Sequence, residues 1–176
     1  MKDKVVRASF VESDFHNKVH DNYLGYMGEL QLCKDKKSEI FIQVNYFHSV
    51  LDDAMEFLLK TPHARNGMKS QQIIRILFDR EVLSEKDAKS AVKINKIRNF
   101  FAHGYDTPNI IHNAEEMIKK IKLELTDFSS IPGNDDVSVK ELMEKACTEW
   151  DMYQKLDFVI HGLVIDIKNK VLFIKN

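Results

Sequence analysis

The chain of 176 residues is poor in the residues that break helices or cross-link chains, with six glycines, three prolines and two cysteines. Cys33 and Cys147 form neither a CxxC pair nor a disulfide framework, which excludes a disulfide-rich secreted scaffold and favours a reducing compartment. No run of about 18 apolar residues is present, and the first residues contain no apolar signal segment. We therefore expect a cytoplasmic protein that neither crosses nor binds a membrane.

The chain also lacks a large net charge of either sign. The 26 basic and 27 acidic side chains give a net charge of −1, which excludes a protein covered in positive charge but allows a local basic strip. The sequence has no phosphate-binding glycine loop, Walker motif or nucleophile elbow, so it gives no support to an NTPase or a hydrolase. We expect no cofactor and no metal; His16 and His20 have the spacing of metal ligands, but no partner ligand is evident.

The sequence shows extensive helical periodicity. Apolar residues recur at intervals of three and four, and three clusters of proline and glycine separate the periodic segments. The pattern predicts an all-α, up-down helical bundle that forms one domain over residues 1–176, with a core bundle over about 38–127. The predicted helices cover roughly 9–33, 39–60, 69–82, 85–103, 108–127 and 139–174.

Capping patterns support several of these starts. Ser9, Ser84 and Ser138 are each followed three residues later by an acidic residue, and Thr107 precedes a proline at the first helical position. The end of the chain allows two interpretations, because 164–167 and 171–174 are apolar enough to pair as a hairpin. The spacing of three and four continues through this region, which favours a long C-terminal helix.

Arg98, Asn99 and His103 are the residues with the clearest chemical potential, and they lie at the end of the predicted helix 85–103. His103 can exchange a proton near neutral pH, Arg98 can bind phosphate oxygens with its fork of donors, and Asn99 can orient a base or bind a phosphate. This set suits attack of an RNA 2′-hydroxyl on its own phosphate without a metal. Because Arg98 and His103 lie about 140° apart around a helix, a homodimer with a composite site is expected.

Charged residues nearby are compatible with an RNA substrate. Lys89, Lys93 and Lys96 precede the motif on the same predicted helix and would form a strip that follows a nucleic-acid backbone, although a solvated helix face is the alternative. Asp52 and Glu56 share a face of the second predicted helix. They would accept hydrogen bonds from Arg98 or influence the proton exchange of His103. The alternative is that they are ordinary surface charges.

The motif resembles that of a known family. The run Lys96-Ile97-Arg98-Asn99-Phe100-Phe101-Ala102-His103-Gly104 resembles the Arg-x4–6-His motif of the HEPN superfamily, especially its mannitol-repressor-like branch. The resemblance is strongest over 84–105 and extends loosely over 38–127. It implies a helical bundle that dimerises through the motif helices and, in many members, a metal-independent endoribonuclease of a toxin–antitoxin, defence or RNA-processing system. By this resemblance Arg98 and His103 are catalytic and Asn99 assists them.

Tyr105 extends the resemblance to the Arg-x4-His-x-Tyr form of HEPN toxins that are paired with a nucleotidyltransferase antitoxin, where the tyrosine can be modified. We group it with the three lysines as substrate-binding. The expected partners are RNA, a second copy of the chain, and an antitoxin or regulatory protein. The alternative implied by the mannitol-repressor-like branch is a non-catalytic regulatory or binding protein.

Overall fold

The structure, a computed structural model, describes residues 2–59, 67–103, 109–121 and 150–173, with side chains described over 14–59, 67–102, 109–121 and 150–171. This part of the chain contains helices and no strand, which confirms the prediction of an all-α bundle. The helices are α1 Lys2–Leu32, α2 Lys36–Leu59, α3 Ser70–Asp79, α4 Glu85–His103, α5 Ile110–Lys119 and α6 Met152–Phe173.

Helix α2 lies at the centre of the bundle and packs against α1, α3, α4 and α6. Its partner α1 runs antiparallel to it, because Asn22 reaches Asp53 near the end of α2 while Tyr26 stacks on Tyr46, nearer its start. Helix α6 runs parallel to α2. Helix α5 packs instead against α4 and α6.

The core of the bundle follows from the apolar stripe of α2. Ile40, Val44, Phe47, Leu51 and Ala54 are at most 1% exposed, as the spacing of four and three predicts. All six helices contribute buried apolar side chains to the same cluster. Burial of each large aliphatic or aromatic side chain contributes about 1.5–3 kcal/mol, so this stripe is a main source of stability.

Helix α4 begins where its capping pattern predicts. The Ser84 N–H donates to Oδ2 of Asp87 over 3.1 Å, and the Asp87 N–H donates to Oγ of Ser84 over 3.2 Å. Just before this cap, Glu81 adopts a φ of 61°, which is strained for a residue with a side chain. That conformation turns the chain so that Val82 and Leu83 enter the core and their N–H groups bond to the carbonyl of Leu77.

One predicted helix start is wrong, and one predicted helix is interrupted. Helix α1 is already formed at Lys2, so Ser9 lies within it. Nothing between Lys2 and Ser9 breaks a helix, and the capping pattern therefore marks no boundary there. The segment 139–174 is not one continuous helix, because Trp150 and Asp151 are non-helical and α6 begins at Met152. Ser138 lies outside the described residues.

The structure corrects two predicted helix ends and confirms the predicted helix at the end of the chain. The third predicted helix stops at Asp79, since the next residues turn towards α4, and the fifth stops at Lys119 instead of continuing to 127. Thr107, predicted to cap the fifth helix, lies outside the described residues. Helix α6 continues unbroken through Gly162 to Phe173, which confirms the helical interpretation against the hairpin.

Candidate functional site

Arg98 lies on the side of α4 that faces the bundle. It follows the buried Ile97 directly and comes one turn after the buried Ile94. Its Nε is buried without a hydrogen-bond partner among the described residues, and the same is true of Oδ1 of Asn95, three residues earlier. A buried polar atom without a partner costs about 1–3 kcal/mol, so such groups are uncommon where stability alone is selected.

The other two motif residues lie at other angular positions around the helix. Asn99 is partly exposed, and His103 is the last residue of α4. With 3.6 residues per turn, the position of His103 lies about 140° from that of Arg98. The side chain of His103 and all of Tyr105 fall outside the part of the chain that is described.

The three lysines differ in what they contact. Nζ of Lys89 pairs with Glu85 over 2.6 Å, and this hydrogen bond lowers the pKa of the Glu85 carboxyl. Nζ of Lys93 donates to the carbonyl of Lys120, just beyond the end of α5. Lys96 is exposed and has no hydrogen bond or ion pair with the residues described. The strip expected for an RNA backbone is therefore partly engaged within the protein.

The two carboxylates expected to support the motif contact other residues. Oδ2 of Asp52 lies 3.3 Å from Nδ1 of His48, and Oε2 of Glu56 lies 3.4 Å from Nζ of Lys18. Neither carboxylate has a hydrogen bond or ion pair with Arg98. Their placement on one face of α2 agrees with the sequence pattern. Which residues they contact depends on how the helices pack.

An exposed aromatic side chain adjoins the motif. The rings of Phe41, at the start of α2, and Phe101, within the motif, are in contact with centroids 6.2 Å apart. Phe41 remains 41% exposed and Phe101 is half-buried. Phe41 is one of several large apolar side chains that the described part of the chain leaves exposed, and it is the one in contact with the motif.

A second polar cluster was not found from the sequence. Nε2 of His48 lies 2.6 Å from Oγ of Ser70, at the start of α3, and Nδ1 of the same ring faces Asp52. The spacing of four between His48 and Asp52 could have shown that they share a helix face. Nothing in the sequence indicates that Ser70, 22 residues away, meets them.

Comparison of the chain with models of protein families, with curated proteins and with solved structures finds no match. Over the residues described, no three His, Cys, Asp or Glu side chains form a group that could hold a metal ion. No helix in the described part of the chain is long and apolar enough to cross a membrane.

Proposed function

We propose that the protein is a metal-independent endoribonuclease of the HEPN type that acts as a homodimer. The observation that carries the proposal is Arg98: a guanidinium with a buried, unpartnered Nε, within an Arg-x4-His run at the end of a bundle helix. Retaining such a group costs stability, and residues that cost stability are concentrated at functional sites. The all-helical bundle is the architecture that the family resemblance implies.

The chemistry assigns a separate task to each residue. His103 accepts the proton of an RNA 2′-hydroxyl, whose oxygen then forms a bond to the adjacent phosphorus. As the bond from phosphorus to the 5′-oxygen breaks, that oxygen takes up a proton from an imidazolium, and the products are a 2′,3′-cyclic phosphate and a 5′-hydroxyl. Arg98 stabilises the charge that develops on the phosphate oxygens, and Asn99 assists in binding.

The geometry of α4 supports the homodimer as part of this proposal. One helix does not easily direct residues about 140° apart at the same phosphate, whereas two copies related by a two-fold axis could bring Arg98 of one copy to His103 of the other. Phe41 and its neighbour Phe101 supply apolar surface next to the motif, where this association would bury it. Lys96 is then the lysine best placed to contact the RNA backbone.

The second candidate is a non-catalytic regulatory or binding protein of the mannitol-repressor-like kind. The contacts of two lysines favour this candidate. Lys89 pairs with Glu85, and Lys93 donates a hydrogen bond to the carbonyl of Lys120, so both are already engaged within the protein. A protein of this kind would bind a partner protein or nucleic acid through the same end of α4 and would cleave nothing.

Incubation of the purified protein with total RNA in EDTA distinguishes the two candidates. The parent should degrade RNA and leave 2′,3′-cyclic phosphate ends, while Arg98→Ala and His103→Ala should each be slower by at least about 100-fold. Arg75→Ala and His112→Ala change exposed residues of the same types on α3 and α5 and should retain parental activity.

Each outcome has a clear consequence. Equal cleavage by the parent and both motif variants would show that the activity comes from elsewhere and would overturn the assignment. Absence of cleavage by every protein, with folding verified by circular dichroism, would transfer the proposal to the regulatory candidate. Binding to RNA or to a co-purified protein, lost in Arg98→Ala, would then support that candidate.

A further inference from the structure

The start of α3 faces the middle of α2 through three polar side chains. Ser70 and Asp52 lie on opposite sides of the His48 ring: Oγ of Ser70 is 2.6 Å from Nε2, and Oδ2 of Asp52 is 3.3 Å from Nδ1. These are the two polar contacts that His48 makes within the described part of the chain. The imidazole therefore links a hydroxyl to a carboxylate, one through each nitrogen.

The two neighbours differ in what they offer the imidazole. In the tautomer with a proton on Nδ1, that proton faces the Asp52 carboxylate and the lone pair of Nε2 is directed at the Ser70 hydroxyl. A hydroxyl next to an imidazole base that a third group orients is the arrangement of an activated serine nucleophile. The contact of 3.3 Å is longer than an ideal hydrogen bond, as is common in sites without substrate.

The backbone at the start of α3 supplies donors for a developing negative charge. Ser70 is the first residue of α3, and the Gln72 N–H makes a bond of 2.8 Å to the carbonyl of Lys69. The N–H groups of Ser70 and Gln71 have no acceptor among the described residues. The positive end of the helix dipole lies at the same place and favours the negative charge of an oxyanion formed beside Ser70.

The cluster is accessible from solvent and is not part of the apolar core. The side chains of His48 and Asp52 are 21% and 13% exposed, and Ser70 is partly exposed. The adjacent Phe47 and Leu51 fill the core from the neighbouring face of α2. All three side chains therefore keep some contact with solvent.

We propose that Ser70, His48 and Asp52 form a second site that hydrolyses carboxylic esters. Oγ of Ser70 forms a bond to the carbonyl carbon while its proton moves to Nε2 of His48. The bond to the alkoxy leaving group then breaks, and the leaving oxygen takes that proton. Water attacks the acyl-serine in the same way, which releases the carboxylic acid and restores the hydroxyl of Ser70. Asp52 is a positioning residue, since it acts through His48.

The test uses the full chain and a fluorophosphonate probe. In this reaction Oγ of Ser70 forms a bond to phosphorus, fluoride leaves and the serine proton passes to His48. Intact-mass and peptide analysis should find one label, on Ser70, and the parent should also turn over p-nitrophenyl acetate. Ser70→Ala should abolish labelling, and His48→Gln should slow it by at least about 100-fold. Ser49→Ala removes a half-buried hydroxyl beside His48 and should label at the parental rate.

Asp52→Asn tests the positioning role. Loss of the carboxylate should lower the labelling rate, because the imidazole loses the group 3.3 Å from Nδ1 that orients it. Asp52→Glu keeps a carboxylate on this face of α2 and should restore part of the rate, whereas a merely structural role would not be rescued in this way. An unlabelled parent, a label on another serine, or a labelling rate unaffected by His48→Gln would each overturn the proposal. The first two outcomes are measured on the parent protein, so they do not depend on whether the variants fold. The labelling experiment is also independent of RNA cleavage.

Discussion

The hydroxyl of Tyr26 donates a hydrogen bond to Oδ1 of Asp157, a contact that joins α1 to α6 across 131 positions of the chain. The Tyr26 ring also stacks on Tyr46 of α2, with centroids 4.6 Å apart. His161, one turn after Asp157, lies 3.3 Å from the same carboxylate. Three helices therefore meet at one small network, and burial followed by the bond to Asp157 raises the pKa of Tyr26 above its usual range.

We expect Tyr26→Phe to lower the free energy of unfolding by about 1–2 kcal/mol, because the half-buried Asp157 carboxylate loses a donor while the ring stays in place. Urea unfolding followed by circular dichroism measures this. Tyr23→Phe is the matched control: Tyr23 is in the same aromatic cluster, but its hydroxyl makes no hydrogen bond with the described residues. A similar loss in both variants would show that the bond to Asp157 contributes nothing of its own.

We expect the stabilisation from His161 to depend on pH. Hydrogen bonding to Asp157 raises the pKa of His161 despite the opposing effect of burial. Burial alone would raise the pKa of Asp157, but hydrogen bonds from His161 and Tyr26 lower it on balance. The contribution of His161 is complete below the unfolded pKa of about 6.5 and is lost as the pH rises through the raised value. That of Asp157 is complete above about pH 4 and is lost as the pH falls through the lowered value.

His161→Gln should therefore destabilise the protein more at about pH 5.5 than at about pH 9. Urea unfolding of parent and variant at both pH values gives the difference. His20→Gln replaces an exposed histidine of α1 and should change the stability little at either pH. An equal cost of His161→Gln at both pH values would contradict the assigned interaction with Asp157.

We expect Asp151→Ala to lower the free energy of unfolding by about 1 kcal/mol, because Asp151 caps α6. Its Oδ1 accepts the N–H groups of Tyr153 and Gln154, each over 2.9 Å, and its own N–H donates to Oε1 of Gln154. Asp151→Asn keeps an acceptor at this position and should restore most of the loss in thermal or urea unfolding. Equal loss in the alanine and asparagine variants would exclude capping as the cause.

We expect Arg98→Met to leave the free energy of unfolding unchanged or to raise it by about 1 kcal/mol. The substitution keeps much of the aliphatic volume and removes the Nε that is buried without a partner. Ile97→Ala, at the neighbouring buried position, should instead cost about 2–5 kcal/mol. A loss above about 2 kcal/mol in Arg98→Met would assign Arg98 a structural role and weaken the ribonuclease proposal.

A composite site predicts that two inactive variants restore each other. If Arg98 of one copy acts with His103 of the other, a heterodimer of Arg98→Ala and His103→Ala keeps one intact site. An equal mixture after subunit exchange should therefore recover about one quarter of the parental RNA cleavage. Light scattering should give twice the chain mass of 20.5 kDa. A monomer at micromolar concentration, or no recovery on mixing, would reject the shared site.

The sequence by itself determined the features that are local. The spacing of apolar residues in α2 fixed its buried stripe, and Ser84 with Asp87 fixed the start of α4, because both depend on residues within a few turns. The same kind of pattern failed at Ser9, where no break precedes the serine, and it did not reveal the break at Asp151. For the Arg98 motif the sequence predicts residue types and their angular separation, whereas their use in catalysis stays a prediction.

Only the tertiary structure decided which side chains meet. The contacts of Ser70 with His48 and of Tyr26 with Asp157 join residues 22 and 131 positions apart, and no periodicity encodes such pairs. The packing of α4 against the bundle likewise decided that Nε of Arg98 is buried while Lys96 on the same helix is exposed. The physical reason is that helix formation depends on neighbours in sequence, whereas the partner of a polar side chain depends on how the helices pack.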